Sequence, residues 1–197
     1  MRTRLALPLA LLSAAALAHP EEGLVTMGTL PQGEAAITAS AGQPFLLARI
    51  DYGLLPWLDA GVQLSGTVGK LVRPGLGARA RLFRRGCGGF TARADLSLVR
   101  PLGSAYGPRP LARTGNAELG IQADLAFGAT CALGVSLEVS GLLDTDLSSA
   151  RTGFFVQTLG GLEYAPLAQL SVLAKAGELR GLHGAGRVFS LGTAIRF

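Results

Sequence analysis

The chain has 197 residues, of which 28 are glycine and 49% are hydrophobic, and it carries a formal net charge of +5. This length suits a single domain. Beyond the N-terminus no apolar run reaches the roughly 18 residues of a membrane-spanning helix, so a helical membrane protein is excluded. The basic residues are scattered and accompany no recognition motif, so nucleic-acid binding is not expected.

The N-terminal segment has the three parts of a secretory signal peptide. Arg2 and Arg4 precede an apolar run from Leu5 to Leu17, and the run ends in the small-x-small sequence Ala16-Leu17-Ala18. The apolar run is only about half as long as a helix that crosses a bilayer. Residues 1–18 are therefore predicted to be a signal peptide that is cleaved on export.

The segment that follows the signal peptide lacks a clear pattern. Residues 19–33 show no sustained alternation and are predicted to be a periplasmic N-terminal segment. From Glu34 onward, apolar residues recur at every second position, which is the period of a β-strand with one apolar face. Residues 34–197 are therefore predicted to form one β-domain.

The alternation divides this domain into about ten strands, and eight or twelve stay open because the segment before Glu34 is irregular. Helical periodicity of useful length is absent from the sequence. The predicted strands are Glu34–Ser40, Leu46–Tyr52, Leu58–Ser65, Leu76–Leu82, Phe90–Leu98, Glu118–Phe127, Leu133–Ser140, Phe154–Tyr164, Leu170–Ala176 and Phe189–Phe197.

The connections between these strands alternate in length. Short ones are predicted near 54–57, 84–89, 128–131 and 164–168, and longer ones near 66–74, 100–115, 141–153 and 177–187. An even number of strands places both termini on the side of the short turns. Six aromatic residues near that side are predicted to form part of an interfacial belt; they are Tyr52, Trp57, Phe83, Phe127, Tyr164 and Phe197.

The last strand closes the chain on an aromatic residue. Phe189, Leu191, Ile195 and Phe197 share one face of it. A strand of this kind resembles the C-terminal insertion signal of bacterial outer-membrane barrels, which the barrel-insertion machinery reads. Together with the signal peptide and the alternation, it makes the whole mature chain similar to small outer-membrane β-barrel proteins.

This resemblance implies an all-β fold, an antiparallel up-and-down transmembrane barrel of about ten strands, in the outer membrane. Outer-membrane lipid, including lipopolysaccharide, and the barrel-insertion machinery are the expected partners, and no cofactor is expected. Short turns on one side and longer loops on the other are typical of such barrels. A soluble exported barrel or sandwich has the same alternation and stays open as the alternative.

The polar faces of the strands carry six positive and seven negative side chains. In a ten-stranded barrel these groups point into a narrow lumen, where charges must be paired and hydrogen-bonded. Their near balance favours a largely filled interior with a charged network over an open, selective pore. The network residues are Arg49, Asp51, Asp59, Arg79, Arg81, Arg93, Asp95, Glu118, Asp124, Glu138, Glu163, Lys175 and Arg196.

The predicted outward loops carry an excess of positive charge. An outer leaflet rich in phosphorylated lipid would attract such a rim, because arginine pairs with phosphate oxygens in a fork. A generic solvated loop surface is the equal alternative. The loop charges are Lys70, Arg73, Arg100, Arg109, Arg113, Arg151, Arg180 and Arg187, opposed by Asp144, Asp146 and Glu178.

The two cysteines, Cys87 and Cys131, both lie in predicted short turns and hence at the same side of the membrane. An oxidising compartment permits a disulfide, but their distance is not readable from the sequence, so two free thiols stay open. Two cysteines without accompanying histidines do not make a tetrahedral ligand set, so no metal site is predicted.

The sequence indicates a structural or surface-interaction role rather than catalysis. The alternative is a narrow, porin-like passive channel for small solutes. A second alternative is an enzyme that modifies envelope lipid, but the two histidines, His19 and His183, lie in no catalytic motif. No catalytic residue is therefore predicted.

Overall fold

The computed structural model of the chain is a closed β-barrel in which every strand is antiparallel to its sequence neighbours and the first strand pairs with the last. The structure describes residue 24 and residues 28–43, 46–67, 71–101, 114–127, 131–146, 151–181 and 184–197. The predicted signal peptide, His19 and His183 lie outside these ranges. Within them, no helix is long and apolar enough to cross a membrane.

The described chain contains ten strands, so the predicted architecture of an up-and-down barrel is confirmed. They are β1 (Ala35–Gln43), β2 (Leu46–Leu55), β3 (Leu58–Thr67), β4 (Leu71–Arg85), β5 (Gly88–Pro101), β6 (Thr114–Phe127), β7 (Leu133–Asp146), β8 (Arg151–Leu167), β9 (Leu170–Gly181) and β10 (Gly184–Arg196). All ten predicted segments correspond to one of these strands each.

Several strands are longer than the alternation predicts. β7 continues to Asp146 and β8 begins at Arg151, so the long loop predicted over 141–153 is mostly strand. The long loop predicted over 177–187 is also wrong, because β9 and β10 pair across most of it. In this part of β9 and β10 the outward residues Glu178, Arg180 and Arg187 are charged and glycines are frequent, so the sequence looks like a loop.

The two faces of the barrel wall differ sharply in chemistry. On β6, the outward Leu119 and Ile121 are 68% and 55% exposed, whereas on β5 the inward Asp95 is 4% exposed. A water-soluble barrel has the opposite arrangement, with apolar residues inside and charges outside. An outward apolar surface on a closed barrel is the arrangement of membrane-spanning barrels. The predicted resemblance to outer-membrane β-barrels is thus confirmed at the level of the fold.

Aromatic side chains mark the end of the barrel that carries the short turns, which we call the turn end. The six residues predicted for a belt all face outward and are 47–66% exposed. The placement of Phe83 depends on a register shift between Arg81 and Phe83, which turns Leu82 and Phe83 outward together. Amphipathic and aromatic rings are favoured at a membrane interface.

A disulfide joins Cys87 and Cys131 at the same end, with their Cα atoms 5.7 Å apart. Cys87 lies between β4 and β5, and Cys131 precedes β7. The bond therefore links two turns that are 44 residues apart in sequence. Such a cross-link restricts the unfolded chain.

The outward surface makes a first prediction. Ile121→Arg places a charge midway along the apolar face and is expected to lower the free energy of unfolding by about 2–4 kcal/mol. Leu133→Arg, at the start of β7 beside the aromatic belt, is expected to cost about 0–1 kcal/mol. Urea unfolding of the protein in lipid vesicles measures both. Equal costs at the two positions would contradict a membrane-spanning outward face.

The disulfide makes a second prediction. The Cys87→Ser and Cys131→Ser double variant is expected to lose about 2–4 kcal/mol of unfolding free energy, because its unfolded chain is less restricted. Dithiothreitol should lower the stability of the wild type by a similar amount and leave the double variant unchanged. If dithiothreitol also destabilised the double variant, the loss of stability in the reduced wild type could not be attributed to the disulfide.

Candidate functional site

The inward faces of six strands bring eight charged side chains into one continuous line across the lumen. Negative and positive groups alternate along it. We call this line the ion chain; its order is Asp59, Arg79, Asp51, Arg49, Asp95, Arg93, Glu138 and Lys175.

The first half of the ion chain lies on β2, β3 and β4. Arg79 donates to both oxygens of Asp59 at 3.0 Å, and its Nη2 lies 3.8 Å from Oδ2 of Asp51. Arg49 donates from Nε to Asp51 at 2.7 Å and from Nη1 to Asp95 at 2.7 Å. Arg49 therefore connects its own strand to β5 through the interior of the barrel.

The second half crosses to the opposite wall. Arg93 is paired with Asp95 and donates from Nη1 to Oε1 of Glu138 at 2.9 Å. Lys175 on β9 donates to Oε2 of Glu138 at 3.2 Å. Glu138 is 2% exposed and receives one cation on each oxygen. The ion chain thus ends on the wall that faces its starting point.

Burial makes this pairing obligatory. An unpaired charge in a medium of low dielectric carries a desolvation cost of several kcal/mol, which an opposite charge at hydrogen-bond distance offsets. Asp51, Asp95 and Glu138 each lie between two cations, so no acid in the middle of the chain depends on one partner. Alternation of sign lets every member be neutralised by its neighbours.

Three further predicted lumen residues have other partners. Glu118 accepts from the Ser140 hydroxyl at 2.8 Å, and Asp124 accepts from Gln122 at 2.6 Å. Glu163 is fully buried, at 1% exposed. The structure therefore places these acids in the lumen but not in the ion chain.

The last two predicted lumen residues, Arg81 and Arg196, lie at the turn end. Arg196 donates to the carbonyl of Ala168 at 2.9 Å, and its Nε lies 3.4 Å from Glu34, which the sequence did not suggest as a partner. Arg81 donates from Nη2 to a backbone carbonyl, that of Thr29, at 3.1 Å.

The segment before β1 enters the turn end of the lumen. The Leu30 amide donates to Oδ2 of Asp59 at 2.8 Å, and the Leu30 side chain is buried in a small apolar cluster with Ala36, Leu173 and Ala194. The chain passes so close to β2 that a Cβ on Gly53 would collide with the Pro31 carbonyl. Residues 28–33 of the predicted periplasmic segment thus occupy the barrel's mouth.

The half of the lumen away from the turn end, which we call the external half, holds a second polar cluster that the sequence did not indicate. With its amide oriented to satisfy both neighbours, Asn116 donates to Asp144 at 2.7 Å and accepts from Nη2 of Arg73 at 3.2 Å. Arg73 and Asp144 were predicted to lie on outward loops, and that prediction is wrong. Their strands continue past the expected boundary, so both residues keep the inward phase of the alternation.

A cavity of about 230 Å³ lies between the ion chain and the external ends of the strands. A smaller cavity of about 70 Å³ separates the N-terminal segment from the turn-end wall, near Arg81 and the disulfide. No group of three or more potential metal-binding side chains is present in the described part of the chain.

The predicted insertion signal lies where the sequence placed it, on the outward face of β10. Phe189, Leu191, Ile195 and Phe197 are 51%, 64%, 44% and 66% exposed. β10 closes the barrel by pairing with β1, and Phe197 exchanges backbone hydrogen bonds with Ala35. In the closed barrel the backbone of β10 is paired with β1, so only the outward side chains of these four residues remain accessible to a partner.

Comparison with known proteins finds solved outer-membrane β-barrel proteins at low similarity. No family model matches the chain, and no curated protein matches its sequence. The N-terminal barrel domain of OprF from Pseudomonas aeruginosa aligns with a TM-score of 0.39 and 14% identity, covering 85% of this chain and 100% of that one.

Two other solved barrels give comparable alignments. Omp33 of Acinetobacter baumannii has a TM-score of 0.39 and 10% identity over 85% of this chain and 98% of that chain. The attachment invasion locus protein Ail of Yersinia pestis has a TM-score of 0.28 and 11% identity over 84% and 99%.

The ion chain makes a third prediction. Glu138→Gln removes the acid between Arg93 and Lys175 and is expected to lower the unfolding free energy by about 3–5 kcal/mol, because Lys175 loses its partner in the ion chain and Arg93 keeps only Asp95. Asp124→Asn is the matched control and should cost clearly less, since Asp124 is not in the ion chain. Adding Lys175→Met to Glu138→Gln should restore part of the loss. Urea unfolding in vesicles measures all three variants.

Equal losses for Glu138→Gln and Asp124→Asn, or no recovery in the double variant, would show that Glu138 does not hold these cations together.

Proposed function

We propose that this chain is an exported outer-membrane β-barrel that is closed to solutes and has a structural or surface-interaction role. The observation that carries this proposal is the double closure of the lumen. The ion chain crosses it at mid-height, and the segment from Thr29 to Pro31 occupies its turn end.

The chemistry of the lumen argues against a passive channel. A solute that crosses the barrel has to break the ion chain and leave buried charges unpaired, which is costly. A selective pore is lined by an excess of one sign, whereas the ion chain alternates. The cavity in the external half favours the narrow channel as the second candidate, because it already provides a path through that half.

The outward surface supports the proposed location. The aromatic belt fits the interface at the turn end, and charge reappears outward at the other end of β9 and β10. There Glu178 pairs with Arg180 at 2.6 Å, and Arg187 lies opposite Glu178 in the register. We propose that these residues meet the phosphorylated headgroups of the outer leaflet, such as those of lipopolysaccharide.

An enzyme that modifies envelope lipid stays a hypothesis without a described site. The two histidines that the sequence offers for such chemistry, His19 and His183, lie outside the described ranges.

Single-channel recording in planar lipid bilayers tests the proposal. The wild type is expected to insert without stepwise conductance, because both closures are intact. An opened variant removes both closures. Thr29, Leu30 and Pro31 are each replaced by glycine or serine, and Arg49, Asp95, Arg79 and Asp51 are each replaced by alanine. This variant removes equal numbers of positive and negative charges and is expected to conduct.

The matched control replaces outward Leu96 and Leu98 by alanine and is expected to stay silent. Stepwise conductance of the wild type would overturn the proposal and favour the narrow channel. Silence of the opened variant, if it folds, would show that something other than these two closures blocks the lumen.

A further inference from the structure

The cavity in the external half of the lumen has two chemically different walls. Most of the aliphatic lining lies on β7 to β10, where Gln157, Lys175 and Ser190 accompany it; the aliphatic residues are Leu142, Leu159, Leu179 and Val188. The other side, on β3 to β6, is polar; it carries Gln63, Ser65, Ser97 and Asn116 together with the charged Arg73 and Glu118. The ion chain forms its floor, with Arg49, Asp95 and Arg93 among the lining residues.

The apolar wall differs from the rest of the lumen, most of whose inward residues are polar or charged. Leu142, Leu179 and Val188 face inward yet are only partly buried, so the interior does not cover them. Apolar surface left against water is unfavourable, and the inward apolar residues nearer the turn end, Ala36, Leu173 and Ala194, avoid it by packing against Leu30. An apolar surface from a bound molecule would cover these three residues.

The floor indicates the charge of such a molecule. Arg49 and Arg93 both bind Asp95, and Arg93 also binds Glu138, so these cations already have acidic partners. At the external side, Arg73 and Asp144 are joined through Asn116. A charged guest would have to compete with these ion pairs and would lose its own hydration. The Nη2 atom of Arg49 has no hydrogen-bond partner among the described residues and can donate to an uncharged oxygen of a guest.

We propose that this cavity binds a small, uncharged amphipathic molecule. Its apolar side packs on the aliphatic wall, and its hydroxyl or amide group bonds to the polar wall. A dry cavity of about 150 Å³ accommodates benzene, so 230 Å³ suits a guest of about ten non-hydrogen atoms. The proposal rests on the closed barrel of the proposed function, because the ion chain supplies the floor.

Methyl NMR of the protein in lipid nanodiscs tests this directly. Leucine and valine methyls are labelled with ¹³C, and 2-phenylethanol is the probe. Saturable shifts are expected at the methyls of Leu142, Leu179 and Val188. The methyls of outward residues such as Leu96 report partition into lipid and should move only linearly with concentration. Two isosteres, phenylacetate and 2-phenylethylammonium, are expected to bind at least about tenfold more weakly.

A matched pair of variants adds a steric control. Ser97→Trp fills the cavity from the polar wall and should abolish the saturable shifts, while Leu98→Trp, the outward neighbour on β5, should leave them unchanged. If Ser97→Trp does not fold, the titration of the wild type tests the proposal by itself. Shifts confined to outward methyls would overturn the proposal, and tighter binding of either charged isostere would overturn the assignment to uncharged guests.

Bilayer recordings on the same wild-type preparation separate this proposal from the proposed function. A silent barrel whose lumen methyls do not respond refutes the cavity alone. A conducting barrel refutes the proposed function, and the methyl shifts then decide whether a guest still binds in the lumen.

Discussion

Charges that are enclosed in a narrow barrel have to neutralise one another, and this constraint governs the interior of the protein. The ion chain meets it by alternating sign through eight side chains. Each acid except Asp59 lies between two cations, and Asp59 binds Arg79 and the Leu30 amide instead. Because the members come from six strands, they meet only when the barrel has closed in its native register. Pairing of charge and closure of the wall therefore stabilise each other.

The same constraint links the lumen to the N-terminal segment. Asp59 ends the ion chain and also holds the Leu30 amide, and Arg81 on the adjacent strand holds the Thr29 carbonyl. The turn end is thus occupied by backbone that lumen charges bind, while the external half keeps a cavity. The barrel is asymmetric along its axis, with its free space on the side away from the turns. That asymmetry favours a role at the external face over the passage of solutes through the lumen.

The alternation of the sequence predicted most of the fold. Once the period is two, residues such as Arg49 and Glu138 must face inward, and all thirteen predicted charges do. The pairs were not predictable, because Arg49 and Asp95 are 46 residues apart and meet only through the barrel's register. The N-terminal segment shows no periodic pattern of apolar residues, so its position in the lumen was not predictable from the sequence. Pro74 and Gly141 are residues typical of turns, and they hid the strand ends that carry Arg73 and Asp144.

The most direct test of the closed lumen is the accessibility of cysteines placed on its two sides. Ser65→Cys lies above the ion chain and Ser136→Cys lies below it, and each is introduced into the disulfide-intact protein in sealed vesicles of known orientation. The account predicts that a membrane-impermeant methanethiosulfonate added at the external face modifies Ser65→Cys and leaves Ser136→Cys unmodified. Modification of Ser136→Cys from that face at the same rate would show that the ion chain does not close the barrel.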